Sequence, residues 1–219
     1  MKKFCVIGLG NFGFHVAKTL FEEGHEVVAI DRNKDRIQKI KDSSSQAILG
    51  DATNIDLLKS LGLNEMDAVV VSTGDLINYS ILITLHLKEL EVRNVFVKAV
   101  SEDHGRVLEK VGADQIIFPE KDTAIKLAKN LSTPNILDYI PLTEEFAIVE
   151  LSPTRELIGK SLAEAELRSK YKINVIAVKE IVPDRFTLVP PADFIIKDSD
   201  ILIVIGEEKD IRKIKEKEG

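Results

Sequence analysis

Phe4-Cys5-Val6-Ile7-Gly8-Leu9-Gly10-Asn11-Phe12-Gly13 is the stretch on which the reading of this chain turns. Four apolar residues fit a buried strand, and G-x-G-x-x-G follows at once, ahead of an amphipathic run from Phe12 to Glu23. The bare glycine pattern arises by chance in about one chain of this length in fourteen. Its place between a strand and a helix gives it weight. Gly8 allows a tight turn, Gly10 lets a pyrophosphate approach the backbone, and Gly13 lets the helix pack closely on the sheet. The free N–H groups and positive end of that helix, at Asn11 and Phe12, then face phosphate.

Outward from that motif, short β-branched runs alternate with longer amphipathic ones. Strands are expected at 4–7, 26–30, 46–49, 68–72, 95–98 and 115–118, and helices at 12–23, 34–41, 54–61, 77–90, 103–111 and 122–130. Six such units describe an α/β doubly wound, Rossmann-like parallel sheet. Ser132-Thr133-Pro134-Asn135 breaks the series, and Ile136 to Ile140 is a short amphipathic piece before Pro141. Strands then dominate at 147–151, 174–178, 186–188 and 201–205, with helical stretches at 161–166 and 209–217. That pattern implies a smaller α+β domain over 143–219, behind a nucleotide-binding domain over 1–135. A core of that size is marginal alone, which favours pairing with another subunit.

Asp31 ends the second strand, 18 residues past Gly13, where a carboxylate accepts hydrogen bonds from ribose hydroxyls. The alternative is a cap for the next helix. A carboxylate there favours NAD, ATP, ADP or AMP over a 2′-phosphorylated cofactor, although Arg32 beside it acts in the opposite sense. Gly50-Asp51-Ala52-Thr53 follows the third strand, and Asp51 is placed to accept from an adenine amino group; alternatively Asp51 or Thr53 caps the helix near Asn54. Ser72-Thr73-Gly74-Asp75 leaves the fourth strand at the topological switch point, where ligands sit in such sheets.

Charge and composition exclude several classes. The chain has 30 Lys/Arg against 36 Asp/Glu, a net charge of −6. Residues 1–140 carry 17 and 20 of these and the remainder 13 and 16, so no basic half exists to attract nucleic acid. One cysteine excludes a disulfide framework, and no apolar run reaches the roughly 18 residues of a membrane span. Met1-Lys2-Lys3 precedes too short an apolar segment for a signal peptide, so a cytoplasmic chain is expected.

Catalytic equipment is sparse. None of Tyr79, Tyr139 and Tyr171 has a lysine at i+4. His15 and His86 fit helix packing or surface positions, and His25 fits a turn; only His104, after the fifth strand, is a ligand candidate. Cys5 reads as an inert buried thiol. A nucleotide site without visible chemistry suggests sensing. The competing reading is an NAD-dependent oxidoreductase with an unrecognised active site.

The motifs 8–13, Asp31, 50–53, 67–71 and Lys98-Ala99, with Leu87-Lys88-Glu89-Leu90, Gly112-Ala113-Asp114 and Pro119-Glu120, recur in the order of the KTN/RCK family. Gly159-Lys160-Ser161-Leu162, Arg168 to Ala177 and Asp200-Ile201-Leu202 resemble that family's C-terminal RCK (TrkA-C) domain. The resemblance spans the whole chain and is nearest to the regulatory subunits of Ktr/Trk potassium-uptake systems. It implies no catalysis, a homo-oligomer from dimer to octameric ring, and a membrane-embedded potassium-translocating partner at the inner face of the cell membrane. It also implies gating by ATP or ADP. Many members carry arginine where this chain has Asn11, so AMP and NAD stand beside ATP and ADP as candidates. Glu120 matches a position that helps hold Mg or another cation near the phosphates between subunits, at the dimer interface, and Lys98 is placed to neutralise phosphate charge; a cap and a surface lysine are the alternatives. Residues 136–142 resemble the family's crossover linker. Arg168, Asn174 and Ile176 match the pocket that relatives use for cyclic di-AMP, with Ile173 and Pro191 as its apolar lining, unless the isoleucines only fill the dimer core and Arg168 pairs with Glu164 or Glu166.

Overall fold

The computed structural model describes residues 1–74, 76–132, 136–143 and 145–214. The chain divides into two compact units, Met1–Asp122 and Thr123–Gly219. In the first, the elements run β1 (Lys3–Ile7), α1 (Asn11–Glu22), β2 (Glu26–Asp31), α2 (Lys34–Ile40), β3 (Gln46–Leu49) and α3 (Ile55–Ser60). They continue with β4 (Ala68–Val71), α4 (Ile77–Glu89), β5 (Val95–Lys98), α5 (Glu102–Val111), β6 (Gln115–Ile117) and α6 (Pro119–Ser132), whose later turns belong to the second unit.

The six strands form one parallel sheet in the order β3-β2-β1-β4-β5-β6. β1 lies between β2 and β4, so the chain reverses direction across the sheet beside the glycine loop. Every residue of Ala68-Val69-Val70-Val71 is buried, as a central parallel strand covered on both faces requires. One face packs Leu58, Ile83, Leu87 and Leu108; the other packs Val6, Ala17, Val27 and Ile40. Truncating a fully buried leucine such as Leu87 to alanine costs about 2–5 kcal/mol. Cys5 lies within β1 with no exposure, and burial pushes its thiol up to about 12. The predicted helix at 122–130 begins earlier: Pro119 opens it, a position where its missing N–H costs nothing.

The second unit holds β7 (Ile136–Pro141), β8 (Phe146–Leu151), α7 (Leu162–Ala165), α8 (Leu167–Tyr171), β9 (Asn174–Glu180), β10 (Arg185–Leu188), β11 (Ile201–Glu207) and α9 (Glu208–Lys213). Its sheet is antiparallel throughout, in the order β10-β9-β11-β8-β7. β8 and β11 bury alternate residues on a core that includes Leu151, Ile173, Ile196, Leu202 and Val204.

The amphipathic piece expected at 136–140 is an edge strand paired antiparallel with β8, with a register shift between Ile136 and Asp138. The helix expected at 161–166 is present as α7, Glu166 ends it in a left-handed conformation with φ 47°, and a second short helix, α8, that was not expected follows at once. Ser161 and Glu164 form a reciprocal capping box at the start of the first. Ser132, expected to begin the break, is still in α6; the rest of the expected break at 133–135, Asp75 and the last residues of the helix expected to reach 217 lie outside the described residues.

Candidate functional site

Two glycines of the loop are demanded by the protein itself. Gly8 has φ +91°, and a Cβ there would overlap the Ser72 carbonyl; a Cβ on Gly13 would overlap the Gly8 carbonyl. Gly10 differs. Its φ is −62°, and a Cβ there would meet no atom within 4 Å. The fold does not require Gly10 to lack a side chain, and the space it leaves opens into a cavity of about 410 Å³. The same residue starts α1 with no side-chain cap, so the first N–H groups of a 12-residue helix keep their hydrogen-bonding capacity.

The cavity lies at the C-terminal ends of the strands and gathers residues from four successive loops. Gly8 and Gly10 come from the first, Asp31 and Arg32 from the second, Asp51 and Ala52 from the third, and Ser72, Thr73 and Gly74 from the fourth. Gly8 is anchored by its N–H on the Ile30 carbonyl (2.8 Å), and Ser72 by its N–H on that of Ile7 (2.7 Å). Thr73 carries a further sign of a missing partner. Its hydroxyl oxygen is buried and has no hydrogen-bond partner among the described residues.

Asp31 is only 6% exposed and already heavily engaged. One carboxylate oxygen accepts from the Leu9 N–H (2.6 Å) and from the Arg36 guanidinium (3.3 Å); the other accepts from the Asn33 N–H (2.8 Å). The residue expected to hold a ribose therefore also holds the glycine loop in shape. The cap of α2 is Asn33, which accepts from the Asp35 and Arg36 N–H groups, so the capping alternative for Asp31 does not describe this chain. Asp51 accepts from both the N–H and the hydroxyl of Thr53, which hold its carboxyl below the usual range; the Arg32 charge adds to the effect. Asn54, not Asp51 or Thr53, caps α3.

Other expected residues stand apart from the cavity lining. Asn11 is exposed on the first turn of α1, Phe12 packs against the core, and Thr53 serves Asp51. Lys98 and Glu120 pair with each other, which lowers the Glu120 carboxyl. A cation at Glu120 would have to displace that ammonium. No group of three His, Cys, Asp or Glu side chains gathers among the described residues of one chain.

His104 is a correction. It is buried between α4 and α5, not in the cavity: its Nδ1 accepts from the Val100 N–H (3.3 Å), which leaves the proton on Nε2, facing the Ser80 hydroxyl at 2.8 Å. Burial holds its imidazole below the ordinary value. The sequence reading also missed cavity residues, notably Arg36, Leu76 and Tyr79. Arg36 lies one helical turn past the Asn33 cap, a spacing that could have pointed to it. Tyr79 looks like any core aromatic on a helix.

In the second unit, Ile173 is fully buried and abuts Gly206, so it fills the core and does not line a surface pocket. Arg168 and Asn174 are exposed. The pairing considered for Arg168 is absent among the described residues, because Glu164 bonds to Ser161 and Glu166 to Lys170.

The TrkA-N domain family matches residues 4–119, and the TrkA-C domain family matches residues 146–219. The chain belongs to the KTN/RCK family. Among its KTN/RCK relatives, the Ktr system potassium uptake protein C of Bacillus subtilis (strain 168) is 43% identical over 216 residues, covering 99% of this chain and 97% of that one. The Ktr system potassium uptake protein A of the same organism is 42% identical over 218 residues, covering 100% and 97%. Among solved structures, the GsuK channel bound to NAD is similar with a TM-score of 0.68 at 15% identity, over 98% of this chain and 39% of that one. That last likeness is one of fold.

Proposed function

We propose that this chain is a nucleotide-binding regulatory subunit that gates a membrane-embedded potassium-translocating protein and catalyses nothing itself. The observation that carries the reading is the near end-to-end match, in both directions, to two potassium uptake proteins. The cavity supports it from within. Gly10 leaves room that the fold does not use, and Thr73 offers a buried hydroxyl without a partner.

In this proposal the loop N–H groups at Gly10, Asn11 and Phe12 hold the phosphates, Asp31 accepts from the ribose and Asp51 from the adenine amino group. ATP and ADP, or AMP and NAD, are the ligands. Each shifts the balance between ring shapes by its difference in affinity for them. The domain limits 1–135 and 143–219, joined by the crossover 136–142, belong to the same proposal, as does a cyclic di-AMP site at Arg168, Asn174, Ile176 and Pro191. No helix among the described residues is long and apolar enough to cross a membrane; we place the subunit at the inner face of the membrane, held by its partner.

The test is native mass spectrometry of the purified protein with identification of the nucleotide it releases. An adenine nucleotide released from a dimer or octamer supports the reading. Turnover of NADH with a small substrate would instead favour the oxidoreductase, and a bare monomer would refute the ring.

A further inference from the structure

At one end of the cavity, the guanidinium carbon of Arg32 lies 4.9 Å from the centre of the Tyr79 ring, and both residues line the cavity. Arg32 follows β2 directly, whereas Tyr79 stands on the first turn of α4, so the contact joins the loop after β2 to that helix. Among the described residues Arg32 makes no salt bridge and no side-chain hydrogen bond; Asp31, its neighbour, takes Arg36 instead. A planar cation on a ring face is worth little where water reaches it and more where water is excluded. Arg32 also lines the cavity beside Asp51, whose carboxyl its charge helps to lower.

We propose that the Arg32–Tyr79 pair is a base slot filled by the protein's own side chain. An entering purine displaces the guanidinium from the ring, stacks on Tyr79 and takes Arg32 onto its opposite face. A phosphate compound without a planar ring breaks the same contact and puts nothing in its place, so the pair selects nucleosides. The inference rests on the nucleotide reading of the cavity and adds which residues recognise the base.

The chain has three tyrosines and no tryptophan, so tyrosine emission is a usable probe. The experiment titrates the full-length protein with AMP, ADP and ATP by calorimetry and by that emission, for wild type, Arg32→Ala, Tyr79→Ala and Tyr79→Phe. Arg32→Ala and Tyr79→Ala each weaken binding by about fivefold to thirtyfold, by the same factor for all three nucleotides. Tyr79→Phe keeps the ring and restores the affinity, but abolishes the ligand-dependent quenching. Tyr79 is partly buried against the core, so Tyr79→Ala also carries a folding risk; Arg32 is exposed, and its variant keeps the test decisive. Unchanged affinity in Arg32→Ala, a loss that grows with phosphate number, or quenching that survives in Tyr79→Phe would overturn the base slot. Failure of the wild type to bind any of the three would overturn the nucleotide reading beneath it.

Discussion

The two units bury their strands in opposite ways. In the first, a parallel sheet is covered on both faces, its central strand β4 has no exposed residue, and polar groups collect where the strands end. In the second, strands alternate between core and surface, and the edge strand β10 and the residue after it leave Phe186, Leu188 and Val189 at 58%, 69% and 77% exposed. A parallel sheet with a switch point makes a crevice out of its own loops. An antiparallel sheet with an open apolar edge needs something else laid against it to complete a site. Under the proposed function, nucleotide binding in the first unit draws its base and ribose contacts from one chain, and a ligand on the second unit needs a pair.

The sharpest way to break this contrast is inside the glycine loop. Gly8→Val drives a side chain into the Ser72 carbonyl at a left-handed φ, and is expected to cost about 4 kcal/mol or more. Calorimetric unfolding should show the first unit lost and the second still melting cooperatively. Gly10→Ala adds a Cβ that meets no protein atom within 4 Å, so it should leave melting within about 1 kcal/mol of wild type while weakening nucleotide binding at least tenfold. Equal damage from the two substitutions would mean that the space at Gly10 serves folding.

Asp31→Ala comes next. It leaves the buried Leu9 N–H without its acceptor, a cost of about 1–3 kcal/mol, and removes the ribose acceptor as well. Both melting temperature and adenine-nucleotide affinity should fall, the affinity at least tenfold. A variant with lowered melting temperature and full affinity would confine Asp31 to the loop.

Arg168→Ala examines the other unit. Its guanidinium is exposed and suited to bidentate contact with a phosphodiester. Cyclic di-AMP affinity should drop at least tenfold with adenine-nucleotide affinity unchanged, as read by titration calorimetry. No binding by the wild type would leave the second unit as a pairing element.

The smallest effect is one of pH. Because the folded His104 resists protonation, the unfolded chain binds the extra proton as pH falls. Its contribution is full above about pH 6.5 and is lost progressively below it. Chemical denaturation of His104→Gln should show a shallower decline of stability between pH 7 and pH 5 than wild type.

The six strand–helix units were legible because periodicity changes sharply between buried β-branched runs and amphipathic helices. The turn at Gly8 was legible for the same reason. That Asp31 holds the glycine loop was not, because the Leu9 and Asn33 N–H groups reach it only once the loops have closed. Nor was β7: a six-residue piece ending in proline becomes a strand only when β8 offers it a partner. Tyr79 carried no sign of its role, since its meaning depends on Arg32, 47 residues earlier in the chain.

Cys5 has a practical consequence. With its one native thiol sealed inside β1 and held protonated by burial, the folded chain is a blank background for site-directed labelling. A cysteine introduced at an exposed position such as Glu91 or Asp184 would be the one thiol in each folded chain that reacts with a spin label or fluorophore. Distances between such labels, followed as nucleotide is added, would report the motion of whole assemblies without first rebuilding the protein.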